Sequence, residues 1–221
     1  EKLYSEKIIK LPKIWNSHSG FGSKRKLNEP PSLNQNNFTF GSLNNFRKIS
    51  DDVVETWSKI LYEVPNSKLI LKSCDNESLL NKFKKFKVDH KIEILKKLDF
   101  FKQEDHLKVY NRIDLCLDTF PYNGVTTTFE ALWMNVPVIV MKGYNFTSRC
   151  GESIIKNLGT NNLISENKED YIINAIKLSN DKNALINLRK NIFEKLIQSS
   201  LFNTKEFSKN FSESLLRIHN S

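Results

Sequence analysis

Two rhythms of apolar residues alternate along the chain. Phe38 to Leu43 alternates as a short strand does, and Lys68 to Leu71 repeats that pattern with Leu69 and Leu71 on one side. Between them Val54, Trp57, Ile60 and Leu61 recur at helical spacing, predicting a helix capped by Asp51 and stopped at Pro65-Asn66-Ser67. A lysine-rich helix is expected from Glu77 to Phe86, a third strand over Ile92 to Leu95, and a third helix over Gln103 to Tyr110. The apolar run from Ile113 to Leu117, broken only by Asp114, predicts a buried fourth strand, and Pro137 to Met141 a fifth. Phe129, Leu132, Trp133 and Val136 place a helix between those two. Arg149 to Leu158 reads as a helix that Gly159 ends, and Lys168 to His219 as helical stretches without a strand pattern.

Strands alternating with helices mean βαβ units, hence a parallel sheet with right-handed crossovers. The fold class is therefore α/β, one Rossmann-like domain over 38–221 with a helical C-terminal tail. Before it, Leu3 to Leu11 is expected to form a short helix that Pro12 redirects, and the Ser, Gly, Asn and Pro-rich stretch from Asn16 to Asn37 reads as a linker. Residues 1–37 are thus set apart as an N-terminal helix and linker.

Composition narrows the function. The 221 residues are 39% hydrophobic and 27% charged, ordinary for a soluble globular protein. Lacking an apolar run of about 18 residues, the chain is not expected to span a membrane. It opens on Glu1-Lys2-Leu3-Tyr4, with no initiator methionine and no signal-peptide pattern, and so reads as a piece of a longer protein. Three widely spaced cysteines (Cys74, Cys116 and Cys150) do not form a disulfide framework, and four histidines show no metal spacing, so no metal is expected and a reducing, cytoplasmic setting fits. Cys116 reads as a core residue. A net charge of +9 suggests an anionic partner. The lysines spread along helices with no nucleic-acid-binding signature, which favours phosphate-bearing small molecules or acidic protein acceptors over nucleic acid.

The candidate chemistry lies in Asp118 to Glu130, a strand-to-helix turn whose helix opens with Thr126-Thr127-Thr128. Free N–H groups at a helix start attract phosphate, and hydroxyls there add donors. Gly124 permits close approach of backbone to a ligand. The turn therefore reads as a pyrophosphate-type site at the C-terminal edge of the sheet. A plainer alternative is a capping box, Thr127 closing the helix start and Glu130 reaching back. Three further stretches follow strands and line the same edge: Gly41 to Ile49, Lys102 to His106, and Tyr144 to Arg149. Alone, Lys48 would be a surface lysine, His106 a helix-face histidine, and Arg149 a partner of Glu152 one turn on.

Asp118 to Val138 resembles the signature of the O-GlcNAc transferase and SPINDLY family, glycosyltransferase family 41. Phe40 to Ile49, Trp57 to Leu69, Ser199 to Thr204 and Tyr4 to Lys7 are similar to further motifs of that family, in the same order. The resemblance implies the C-terminal, donor-binding half of a GT-B glycosyltransferase that moves a sugar from a nucleotide donor to Ser or Thr of a protein. It implies that Lys48 contacts the donor diphosphate and is needed for catalysis, and that Thr126 and Thr127 bind the diphosphate with Tyr122 and Gly124 in the same turn. It also implies that Glu130 holds the ribose hydroxyls, that His106 lies by the nucleotide, that Asn45 sits near the base, and that Gln103 takes a nucleotide-contacting position. Val125 stands where O-GlcNAc transferases have histidine and SPINDLY proteins threonine, and Gln103 where O-GlcNAc transferases have lysine. UDP-GlcNAc is the donor expected first, with GDP-fucose or another nucleotide sugar as the alternative, and a non-catalytic nucleotide-binding module as the rival to a transferase. The resemblance implies no cofactor beyond that donor, an N-terminal catalytic half with tetratricopeptide repeats upstream, and little turnover by this half alone.

Overall fold

The computed structural model describes residues 4–22, 24–73, 75–96 and 103–220. Its centre is a six-stranded, all-parallel sheet of order β3-β2-β1-β4-β5-β6. The first half runs β1 (Phe38–Ser42), α1 (Asp51–Glu63), β2 (Ser67–Ser73), α2 (Asn76–Lys84) and β3 (Ile92–Lys96). The second runs α3 (Gln103–Lys108), β4 (Leu115–Leu117), α4 (Thr126–Trp133), β5 (Val138–Met141), α5 (Cys150–Leu158) and β6 (Ile164–Ser165). Three helices close the chain, α6 (Lys168–Asn180), α7 (Lys182–Leu196) and α8 (Thr204–His219). The expected Rossmann-like α/β class holds, and each of the five expected strands is present.

β1 and β4 are buried at every position, as strands covered on both faces must be. Trp57 of α1, Phe83 of α2, Leu132 of α4, Ile155 of α5 and Tyr171 of α6 are fully buried in one core with them. Gly159 ends α5 in the left-handed region, φ 73°, as its place in the sequence predicts.

Some local expectations fail. Tyr4 to Leu11 carries no helix. Isolated helices of that length are marginal, and Tyr4, Ile8 and Ile9 are exposed rather than packed as one apolar face. Ser50, not Asp51, caps α1: its side chain accepts from Val53 N–H, and Asp51 becomes the first helical residue. β6 is two residues long, too short for any periodicity to betray it.

Among the described residues between Asn16 and Asn37 there is no regular element but one 3₁₀ turn at Pro31–Leu33. Phe21 joins the core, and Arg25 donates to Trp133 O at 3.2 Å, Phe193 O at 3.1 Å and Asn135 Oδ1 at 2.6 Å. The same guanidinium lies 4.8 Å from the Phe193 ring centroid and 5.6 Å from that of Trp133.

Candidate functional site

Strand order reverses between β1 and β4, and open parallel sheets bind ligands outside the carboxyl ends of strands at such a point. Two loops meet there: 43–50 after β1 and 118–125 after β4.

In the first loop Phe46–Lys48 forms a 3₁₀ turn, and Asn45 caps it, accepting from Arg47 N–H at 3.1 Å. The turn sends Lys48 across to the second loop. Its Nζ donates to Asn123 O at 2.8 Å and sits 4.1 Å from the Tyr122 ring centroid, a cation–π contact with an exposed ring. Partial burial lowers the Lys48 pKa, and the Asp118 and Cys150 side chains act against that shift. Among the described residues no carboxylate is bonded directly to the ammonium.

In the second loop the capping-box alternative fails. The N-cap of α4 is Val125, whose side chain makes no cap. Thr127 lies one residue inside the helix and donates its hydroxyl to Asn44 Oδ1 at 2.6 Å. Glu130 does not reach back, because its Oε2 accepts from Tyr110 OH at 3.0 Å and lies 2.9 Å from His106 Nε2. The backbone N–H groups of Thr126, Thr127 and Thr128 therefore find no protein acceptor among the described residues, and the exposed Thr126 hydroxyl stands beside them. A helix start left uncapped in this way presents donors and a positive dipole end to an anion.

Lys48, Tyr122, Gly124, Thr126 and Thr127 thus come together. Glu130 of α4 and His106 of α3 form a second group, joined to the first by Tyr110, whose hydroxyl also reaches Thr127 O at 3.2 Å. Burial, and then the neighbouring Glu130, hold the Tyr110 hydroxyl well above its ordinary pKa, so it acts as a donor. Asn45 lines a cleft of about 420 Å³ with Thr127, Arg47 and Lys72, a volume in the range of small-ligand pockets. Gln103 opens α3, but its side chain, like Lys102 and Cys74, lies outside the described residues. Arg149 takes its plainer reading, donating from Nε to Glu152 Oε2 at 2.7 Å. Cys116 is buried in β4, its thiol pKa pushed upward by burial. A larger cleft of about 510 Å³ between residues 8–15 and α8 is lined mainly by Ile8, Ile9, Leu11, Trp15 and Leu215. That lining is mostly apolar, with Lys10 and Lys13 at it, and it lies away from the uncapped helix start.

Sequence reasoning missed Asp118. Its Oδ1 accepts from Gly124 N–H at 2.7 Å, Thr119 N–H at 2.9 Å and Asn44 Nδ2 at 3.0 Å. Its carbonyl accepts from the Tyr171 hydroxyl at 2.8 Å, which in turn accepts from Trp57 Nε1 at 3.3 Å. Burial pushes the Asp118 pKa up to about 7, against the lowering effect of those hydrogen bonds and of Lys48. The available signal was a carboxylate directly after an apolar strand.

Comparison with known proteins places these features in context. The model of the family described as glycosyl transferase family 41 matches residues 27–211. The chain is 33% identical over 219 residues to the "Probable UDP-N-acetylglucosamine--peptide N-acetylglucosaminyltransferase SPINDLY" of Solanum lycopersicum, which covers 96% of this chain and 23% of that protein. Against the protein of the same description from Arabidopsis thaliana the identity is 32% over 209 residues, covering 92% and 23%. A solved mutant of the Thermobaculum terrenum O-GlcNAc transferase superposes with a TM-score of 0.84 at 29% identity, over 98% of this chain and 42% of that one. The pneumococcal O-GlcNAc transferase in complex with UDP and GlcNAc, TM-score 0.56 at 15% identity, shares the fold. The chain spans less than a quarter of the length of the plant relatives.

Proposed function

The chain belongs to glycosyl transferase family 41, and from that membership we propose that it is the donor-binding half of an O-linked glycosyltransferase. The reaction is transfer of a sugar, GlcNAc from UDP-GlcNAc, to Ser or Thr of a protein. The observation that carries this reading is the uncapped start of α4 with the Lys48 ammonium held over the adjoining turn.

The donor diphosphate sits on the N–H groups of Thr126 to Thr128, with the Thr126 hydroxyl and Lys48 Nζ as further donors. Glu130 and His106 face the ribose and base, with Asn45 and Gln103 at the rim. The acceptor hydroxyl attacks the anomeric carbon, the carbon–oxygen bond to the diphosphate breaks, and configuration inverts. The acceptor's proton leaves to a base in the N-terminal half, which lies outside this chain. Lys48 and the helix start meet the negative charge that grows on the departing diphosphate. One such donor is commonly worth about 10²–10³ in kcat. The same division assigns acceptor recognition to the N-terminal half and to tetratricopeptide repeats upstream, so this half binds nucleotide and turns over little alone.

A second reading keeps the chemistry and changes the donor to GDP-fucose. Val125 favours it, since that side chain donates no hydrogen bond where O-GlcNAc transferases carry a histidine. The printed descriptions of the plant relatives favour UDP-GlcNAc.

Calorimetric titration with UDP, GDP, UDP-GlcNAc and GDP-fucose, repeated on Lys48→Ala, tests the proposal. Saturable binding of one nucleotide that weakens at least tenfold in Lys48→Ala supports it and names the base, a loss of about 1.4 kcal/mol or more. Binding indifferent to Lys48, or no binding, rejects it.

A further inference from the structure

Asp118 contacts none of the ligand positions assigned above, yet it holds the residues that do. Oδ1 takes three donors, from Gly124, Thr119 and Asn44, while Oδ2 is buried without a partner among the described residues. Oδ2 faces Gly151, where an added Cβ would lie 3.0 Å away. With three donors already on Oδ1 there is no room there for a proton as well, so any proton on this carboxyl resides on Oδ2. Asn44 must then turn its NH₂ toward Asp118. Its carbonyl oxygen is left for Thr127 Oγ1, 2.6 Å away, and draws the hydroxyl proton inward.

Resting on the donor-half reading, we propose that Asp118 is a positioning residue of the diphosphate site. By fixing the Gly124 backbone and the Asn44 amide, it commits the Thr127 hydroxyl to the protein. Thr127 then meets the diphosphate through its backbone N–H, its side chain is a tether, and the outward Thr126 hydroxyl is the side-chain donor of the pair.

The charge on Asp118 adds a second consequence. Lys48 from the first loop, Cys116 of β4, Cys150 of α5 and Tyr171 of α6 are the titratable groups that face it. Burial pushes both thiols and the phenol upward, so through neutral pH Lys48 is the charged neighbour. Protonation at Oδ2 leaves the Oδ1 bonds intact, so the tether survives in both states. The ionised form places a negative charge behind the anion site. Affinity for a diphosphate diester, which does not itself titrate near neutrality, falls as pH rises through about 7.

The test is calorimetric titration of UDP-GlcNAc and GDP-fucose into the chain and its variants across neutral pH, with folding checked by circular dichroism. Thr127→Val and Asn44→Ala should each weaken the bound donor by about three- to tenfold, the worth of one neutral hydrogen bond. The double variant should be no weaker than the weaker single, because both break one tether. Thr127→Ser should restore affinity, and Asp118→Asn should flatten the pH dependence. If Asn44→Ala fails to fold, Asn44→Ser completes the cycle. Additive losses in the double variant, or a pH slope unchanged in Asp118→Asn, overturn the proposal and leave the donor-half reading standing. A wild-type chain that binds neither donor overturns both.

Discussion

Gly124→Ala is the most severe small change the site admits. An ideal Cβ there would lie 2.6 Å from Thr127 Oγ1, 2.7 Å from Asn44 Oδ1 and 2.9 Å from Asp118 Oδ1. None of the three is a free side-chain end, since each is bonded to another member of the group. Relief requires parting Asn44 from Thr127 or moving the turn off Asp118. Overpacking costs about 1–3 kcal/mol, and each neutral hydrogen bond lost about 0.5–1.5 kcal/mol more. The sum is about 2–4 kcal/mol, which lowers Tm by about 5–15 °C in a chain of this size. Thermal unfolding followed by circular dichroism measures it, and nucleotide titration below the transition should show weakened binding. Gly22→Ala is the control: a Cβ there meets nothing within 4 Å, but φ is +74°, so it should cost about 1–2 kcal/mol from backbone strain alone and leave binding unchanged. A Gly124→Ala variant with wild-type Tm and affinity would refute the packing of these two loops.

Two predictions concern the frame behind the site. Arg25→Ala removes three hydrogen bonds and two ring contacts that tie the N-terminal strap to α4 and α7, and should lower Tm by about 4–12 °C, a loss of about 2–3 kcal/mol. Little change would mean that the strap contributes nothing to the fold's stability. The raised Asp118 pKa has a definite sign: between the unfolded value near 4 and the folded value of about 7, the folded state holds a proton that the unfolded state has released. Its contribution to stability is complete below about pH 4, declines by up to about 1.4 kcal/mol per pH unit toward 7, and is flat above. Urea unfolding of wild type against Asp118→Asn at matched pH should show that decline in wild type alone, and parallel profiles would contradict it.

The site's location was more legible than its wiring. The apolar run before Asp118, Gly124 and the three threonines marked the strand-to-helix turn whose helix start is left uncapped, because both signals are local in sequence. Strand order was not legible, since the pairing of β1 with β4 depends on contacts between Phe40 and Leu115 that no periodicity encodes. Asp118 escaped for the same reason: its partner Asn44 is 74 positions away. The capping-box alternative fails because its pattern is satisfied by residue type alone, while Glu130 is claimed by Tyr110 and His106 from another part of the chain. The helix expected over Leu3 to Leu11, whose first residue lies outside the described ones, failed because Lys7-Ile8-Ile9-Lys10-Leu11 serves a non-helical strap as well as a helix. Tyr4, which accepts from Phe146 N–H at 3.0 Å, belongs to such a strap.

The central claim is that the open start of α4 holds the donor's diphosphate beneath Lys48. An amide chemical-shift map of the isotope-labelled chain, titrated with UDP and separately with GDP, tests it most directly. The account predicts that the largest shifts with the preferred nucleotide fall on the N–H groups of Gly124, Thr126, Thr127 and Thr128, and that Lys48→Ala abolishes them at the same concentration. Shifts spread over the lysines of α2, or confined to the apolar cleft beside α8, would contradict it.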